Sequence, residues 1–244
     1  MSAADGTTPL PLEGLRVIDS ATLFAGPVIA SIMGDYGADV IKVEHPAGDS
    51  LRTLGWSKDG VSLWWAHVGR NKRCVTLKLS DPRGEELMKE LIASADVYIE
   101  NFRPGTMEKW GLGYDTLKEI NPGLIMVRIS GYGQTGPHAK KAGYASVGEA
   151  FGGMRYVMGE PDRMPSRAGI SLGDSLAATF GALGALAALN HRHVTGHGQM
   201  VDSAIYEACL AMMESLVPEA GVELHQPLGQ LSLHRRAPRL ATPP

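Results

Sequence analysis

Short apolar runs alternate with segments of helical period along the chain. Residues 15–19 (LRVID) have the pattern of a strand. Ala25-Gly26-Pro27 breaks that run, and Pro27 suits the opening of a helix, where its missing N–H costs nothing. The helix is expected over residues 28–36, with Gly37 as a left-handed stop. Residues 39–44 (DVIKVE) form the next strand and complete a β-α-β unit with short connections. The pattern then repeats. Residues 73–79 read as a strand, and Asp81-Pro82 caps and starts a helix to about residue 93, with Leu87, Leu91 and Ile92 on one face. Further strands are expected at 96–100, 124–130 and 199–203, and further helices from Asp174 to about residue 193 and over 204–216. The expected fold class is α/β, a mainly parallel sheet with helices on both faces.

Composition narrows the function. Of the 244 residues, 44% are hydrophobic and 20% charged, which excludes wholesale disorder. A net charge of −3 gives no basis for general binding to nucleic acid or anionic membranes. Two cysteines, Cys74 and Cys209, make no disulfide framework and are expected as buried thiols in a strand and a helix. No basic segment followed by an apolar one opens residues 1–14, and the most apolar stretch, 176–189, is short and rich in Gly and Ala for a bilayer span. The expectation is a cytoplasmic chain with no membrane or nucleic-acid partner. The 30 glycines are nearly twice the usual ~7% share and imply tight turns and close backbone approaches.

Ligands of parallel sheets collect at the carboxyl ends of strands, and four loops stand out. Ala21 to Pro27, with Phe24 and Ala25, leads into a helix N-terminus that favours anions. With Glu44 as a ribose acid it has the outline of a dinucleotide site, but G-x-G-x-x-G is absent, since only Gly26 lies in the turn. Arg70, Lys72 and Arg73 form a basic cluster before a strand, suited to phosphates or to a solvated loop. Asn101-Phe102 puts an amide and a ring at a strand end; the ring covers a base or fills core. Asp174 follows Gly173 where a long helix begins. It is an N-cap or a carboxylate nucleophile that the helix N-terminus keeps ionised.

Other signals carry less. His191-Arg192-His193 and His197 fall at a helix C-terminus, where basic side chains complement the dipole, and no carboxylate or Cys partner at ligand spacing points to a metal. Trp64-Trp65 suits either core or a substrate pocket.

Taken in order, PLEGLRVIDSATLFAGPVIASIMGDYGADVIKVEHPAGDSLR, GRNKRCVTLKL, ENFRPGTMEKWGLGY, ISGYGQTGP, GDSLAATFGALGAL and TGHGQMVDSAIYEA resemble the class III CoA-transferases, the formyl-CoA and carnitine CoA-transferase family. The resemblance covers residues 10–219, the N-terminal part of a Rossmann-like large domain, between a flexible arm (1–9) and an irregular tail (220–244). It implies transfer of CoA from an acyl-CoA donor to a small free carboxylic acid, with Asp174 as nucleophile and CoA thioesters as substrates rather than a resident cofactor. It also implies that Phe24, Ala25, Arg70, Lys72, Arg73, Asn101, Phe102 and Lys109 hold CoA, Lys109 standing where the family often has Arg.

The same resemblance opens two alternatives. Related α-methylacyl-CoA racemases use a His/Asp pair. The Asp matches Asp174, but the His falls at Tyr144, a poor base near neutral pH and here assigned to the CoA pocket. Family members continue into a small domain and a return segment, and form interlocked homodimers. Against them this chain is expected to lack the small domain with its glycine-rich oxyanion loop, to expose a sheet edge and an apolar helix face, and to act weakly or only as a CoA-binding fragment.

Overall fold

The computed structural model describes residues 8–160 and 162–223. The rest of the expected arm (1–7) and most of the expected tail (224–244) lie outside the described residues.

Strand β1 (Arg16–Asp19) runs into helix α1 (Ala25–Asp35) and strand β2 (Asp39–Glu44). A small hairpin, β3 (Ser57–Lys58) and β4 (Val61–Ser62), precedes α2 (Leu63–Val68) and β5 (Lys72–Thr76). Then follow α3 (Pro82–Ile92), β6 (Val97–Glu100), α4 (Thr106–Lys109), α5 (Tyr114–Ile120) and β7 (Ile125–Ser130). The last elements are α6 (Ala145–Phe151), the long α7 (Leu172–Thr195), β8 (Met200–Ala204), α8 (Ile205–Ala211) and α9 (Leu216–Glu223).

Six strands form one parallel sheet in the order β5-β2-β1-β6-β7-β8. This is the doubly wound arrangement. The chain runs outward from β1 to β5, then restarts beside β1 at β6, so the order reverses between β1 and β6. Alternate side chains of each strand feed two cores. Val17, Val97, Ile99, Ile125 and Val127 meet α1 and α7 on one face. Ile18, Tyr98 and Met126 meet Met88, Ile92, Met107 and Leu117 on the other.

Several boundaries moved. Helix α1 starts at Ala25, so Pro27 lies within its first turn, and Gly37 takes the expected positive φ of 102°. Asp81 caps α3 as expected, accepting from the Arg83 N–H at 3.1 Å. The helix expected over 204–216 is interrupted, because Glu214 adopts a left-handed φ of 51° and α9 restarts the helix at Leu216, carrying it past Ala220 to Glu223.

Helix α7 contains the apolar stretch 176–189, expected to be short and rich in Gly and Ala for a bilayer span. It runs over 24 residues and, among the described residues, is the one helix long and apolar enough to cross a membrane by length and composition. Here its small face, Ala177, Ala178, Ala182, Ala185 and Ala188, packs into the first core, while Phe180, Leu183, Leu186 and Val194 are exposed. Its far end is tied down by Arg192, which donates to the Gly123 carbonyl and to Asp96 at 2.8 Å.

Candidate functional site

The reversal between β1 and β6 opens a crevice at the carboxyl edge of the sheet. Asn101 spans it: its amide oxygen accepts from the Thr22 N–H at 2.8 Å, and its amide nitrogen donates to the Thr22 carbonyl at 2.7 Å. Gly26 lets the loop turn tightly, since a Cβ there would overlap that of Ala21.

A buried ion cluster lies under the same loop. Lys42 reaches Asp19 at 3.6 Å and Asp49 at 3.3 Å, and donates to the carbonyl of Ala21. Lys72 reaches Asp19 at 2.9 Å and the Pro27 carbonyl at 2.6 Å. Asp49 also accepts from the Leu23 N–H at 3.4 Å, where Leu23 holds a strained φ of 62°. The loop from Ala21 to Pro27 is thus fastened from below by two lysines and two aspartates that carry no solvent-facing charge.

Asp174 lies at the same edge, in the first turn of α7. It is the third helical residue, and Ser171 occupies the cap position without a side-chain bond. The expected N-cap role therefore fails: the carboxyl is free of that duty. The helix terminus does not hold that carboxyl in the ordinary range, although it stays mainly ionised at neutral pH. Burial and the neighbouring Glu149 carboxylate push Asp174 up to about 6, against a smaller opposing pull from Arg167. Glu149 is fully buried, and its Oε1 accepts from the Gly173 N–H at 3.4 Å. Ile205 and Cys209 of α8 and the carbonyl of Ala145 close around Gly173, where a Cβ would stand 3.1–3.2 Å from each. That packing explains why glycine precedes the carboxylate.

The chain matches the model of CoA-transferase family III over residues 12–240. It belongs to that family. The matched span continues past Glu219, where the quoted sequence motifs end. The chain is 53% identical over 213 residues to succinyl-CoA–D-citramalate CoA-transferase of Chloroflexus aurantiacus, covering 86% of this chain and 53% of that protein. It is 39% identical over 209 residues to the human succinyl-CoA:glutarate CoA-transferase, covering 84% and 48%. The crystal structure of a CAIB/BAIF family protein from Brucella suis matches with a TM-score of 0.85 at 37% identity, over 90% of this chain and 60% of that one. The chain thus spans about half the length of the curated relatives it matches.

The family III resemblance named nine CoA-pocket residues, and the structure sorts them by edge. Phe24 and Ala25 open α1 at the carboxyl edge. Ala25 is buried in the first core, and Phe24 meets Trp64 edge-on at 5.3 Å, which gives that tryptophan its packing role. Asn101 is engaged with Thr22, and Phe102 packs edge-on to Trp110 at 5.2 Å against the second core. Lys109 ends α4 as an exposed cation, as does Arg103 just before that helix; neither makes an ion pair among the described residues.

Arg70, Lys72 and Arg73 start from the other edge, although the Lys72 side chain reaches back under the Ala21–Pro27 loop. They precede or open β5, at the amino edge of the parallel sheet. Arg70 pairs with Asp35 and Arg73 with Asp39, the latter at 2.7 Å. Lys72 has a side chain only 1% exposed and is spent on the buried cluster, where burial pulls its pKa down. In this structure none of the three is an unpaired donor facing the crevice. Tyr144 precedes α6 with 66% of its surface exposed, next to the Ala145 carbonyl that touches Gly173.

Some residues escaped the sequence reading. Lys42 was legible as a charge inside an apolar strand, and Glu149 as an acid in a helix of small residues. Glu44, considered as a ribose acid, is instead held by Arg52 through two bonds of 2.7 and 2.6 Å. Cys74, expected buried, is exposed because edge strand β5 is open on its outer side; Cys209 is buried as expected. Trp65 lies under the Arg52 guanidinium, 3.7 Å from the ring centre.

Proposed function

We propose that the protein moves coenzyme A from an acyl-CoA donor to a free carboxylic acid with Asp174 as covalent nucleophile. The observation that carries this reading is the half-buried, cap-free Asp174 carboxyl at the carboxyl edge of a family III domain. A carboxylate partly withdrawn from water and not engaged as a helix cap is a better nucleophile than a fully solvated one.

An Asp174 oxygen attacks the thioester carbonyl, the C–S bond breaks, and CoA leaves as thiolate from a mixed anhydride. The thiolate attacks the aspartyl carbonyl and expels the donor acid as carboxylate, leaving an aspartyl-CoA thioester. The acceptor carboxylate attacks that thioester, releasing the thiolate and forming a second anhydride. The thiolate then takes the acceptor's acyl group, and Asp174 returns as carboxylate. Lys109 and Arg103, exposed beyond β6, offer charge to the CoA phosphates. Relatives named for succinyl-CoA and for citramalate or glutarate support succinyl-CoA as donor and a small dicarboxylic acid as acceptor.

The test incubates labelled succinyl-CoA with citramalate, malate or glutarate and the wild type or Asp174→Asn. The wild type is expected to transfer label and to yield a hydroxylamine-trapped aspartyl adduct; the variant is expected to lose both by orders of magnitude. Transfer that survives in the variant defeats the reading. With a 2-methylacyl-CoA in heavy water, Asp174-dependent α-deuterium uptake would move the protein to the racemases, against the absence of imidazole at Tyr144.

A further inference from the structure

We infer that Glu149 is a positioning residue for Asp174, fixing the first turn of α7 and placing a second carboxylate against the nucleophile. The inference rests on the reading of Asp174 as nucleophile and adds a partner to it.

Three observations support the role. First, Glu149 is 0% exposed, although α6 is short and Ala150 and Phe151 beside it are open to solvent. A carboxylate turned fully inward from such a helix carries a desolvation penalty unless something there uses it. Second, it does a task the helix itself leaves undone. Ser171 offers no cap, and Glu149 Oε1 accepts the Gly173 N–H across the α6–α7 contact at 3.4 Å. That amide belongs to the residue joined to Asp174, so the bond fixes the backbone from which the nucleophile projects. Third, the remaining oxygen, Oε2, is buried without a hydrogen-bond partner among the described residues. A buried carboxylate oxygen left free keeps its charge directed at the neighbouring nucleophile rather than taken up by a donor.

The groups facing this pair are few. Asp174 and Gly173 stand on α7. Cys209 stands on α8, its thiol pushed up to about 11 by burial and by the two carboxylates. Among the described residues Arg167, on the segment before α7, supplies the cation acting on Asp174, and its guanidinium otherwise bonds the Ala168 carbonyl at 3.1 Å. The pull of Arg167 is smaller than the effects of burial and of Glu149, so among the described residues the environment favours a basic, reactive Asp174.

Two variants separate charge from shape. Glu149→Gln keeps an oxygen for the Gly173 N–H but removes the charge; Glu149→Ala removes both. The carboxyl carbon of Asp174 is followed by NMR titration of the folded protein, a readout that needs no turnover. The acid limb of kcat for CoA transfer is measured alongside, with KM for the acyl-CoA. In Glu149→Gln the Asp174 midpoint and the acid limb are expected to fall together by about one pH unit, with KM changed less than twofold. In Glu149→Ala, hydrogen exchange at the Gly173 amide is expected to quicken and kcat to drop at least tenfold. An Asp174 midpoint unchanged in Glu149→Gln, or Gly173 exchange unchanged in Glu149→Ala, overturns the inference. Transfer surviving in Asp174→Asn overturns the nucleophile reading instead, and leaves the titration result standing by itself.

Discussion

Asn101 and Thr22 clasp each other across the point where the strand order reverses, through two hydrogen bonds of 2.8 and 2.7 Å. The two loops that bound the crevice are therefore one structural unit. Both bonds go to the backbone of Thr22, so they depend on the Asn101 side chain and not on the side chain at position 22. Asn101→Ala is expected to cost about 1–3 kcal/mol by urea unfolding, from two lost bonds. It is also expected to raise KM for an acyl-CoA more than it lowers kcat, because the loop before α1 loses its tie. A KM unchanged beside a lowered stability would show that the clasp serves the fold alone.

The buried cluster of Lys42, Asp19, Asp49 and Lys72 predicts a larger effect. Lys42→Met removes one cation and leaves two carboxylates at 0% and 5% exposure with Lys72 alone. Breaking a buried ion pair by deleting one partner costs about 3–5 kcal/mol. The double change Lys42→Met with Asp49→Leu is expected to recover part of that loss, because the stranded acid goes with its partner. The four points of this cycle, read by denaturant unfolding, check it; a single variant as stable as wild type refutes the cluster's part in holding the loop.

How much of this was legible follows from which forces act locally. Strand β2 was read to the residue, because DVIKVE is an apolar run between a left-handed glycine and a turn. Helix α3 was read from its cap, because Asp81 and Pro82 act within one turn. Asp174 was singled out from a glycine and a helix start, but its role as cap was misread. The first helical residue is Leu172, and the cap falls on Ser171, three residues upstream of Asp174. The basic run at Arg70 to Arg73 suited phosphates or a solvated loop, and sequence does not show which acids pair with it. Its partners Asp35, Asp39 and Asp19 lie at least 34 residues away. Glu149 was missed for the same reason: its contacts with Gly173 form only when α6 docks on α7.

Two carboxylates give opposite pH signatures of stability. Burial works to raise Glu44, but Arg52 and the Asp49 N–H overcome it and bring it down to about 2. Its contribution is present above the unfolded carboxylate range, about 4.3, and is lost as pH falls from there through about 2. Asp174, pushed up to about 6, binds its proton more tightly when folded. Its ionisation therefore destabilises the fold above about 6, and the cost is relieved as pH falls from about 6 to about 4. Asp174→Asn is expected to flatten the stability curve between those values and to raise stability at pH 7 on the order of 1 kcal/mol, the usual sign for a removed functional charge. Urea midpoints of both proteins from pH 4 to 8 measure this. A variant less stable than wild type at pH 7 would mean that the Asp174 charge is compensated.

Gly84 tests whether packing or propensity rules helix α3. It lies in the first turn, buried, where alanine is ordinarily the better residue by about 1 kcal/mol. A Cβ at Gly84 would overlap the carbonyl oxygen of Lys78 and stand 2.7 Å from its carbon. That carbonyl is not free to move, since it accepts the Asp81 N–H at 2.9 Å in the turn that delivers the cap. The clash is with backbone, so it is relieved only by shifting the turn or the helix. Gly84→Ala is therefore expected to destabilise by about 1–3 kcal/mol, the cost of overpacking, despite its better propensity. Gly169 is the matched control. Nothing lies within 4 Å of a Cβ there, and its φ is outside the left-handed range. Gly169→Ala is expected to be neutral or to stabilise by about 0.4–1 kcal/mol through the unfolded chain. Urea unfolding of the pair decides the matter. Equal or greater stability of Gly84→Ala would show that the turn yields and that propensity governs this helix start.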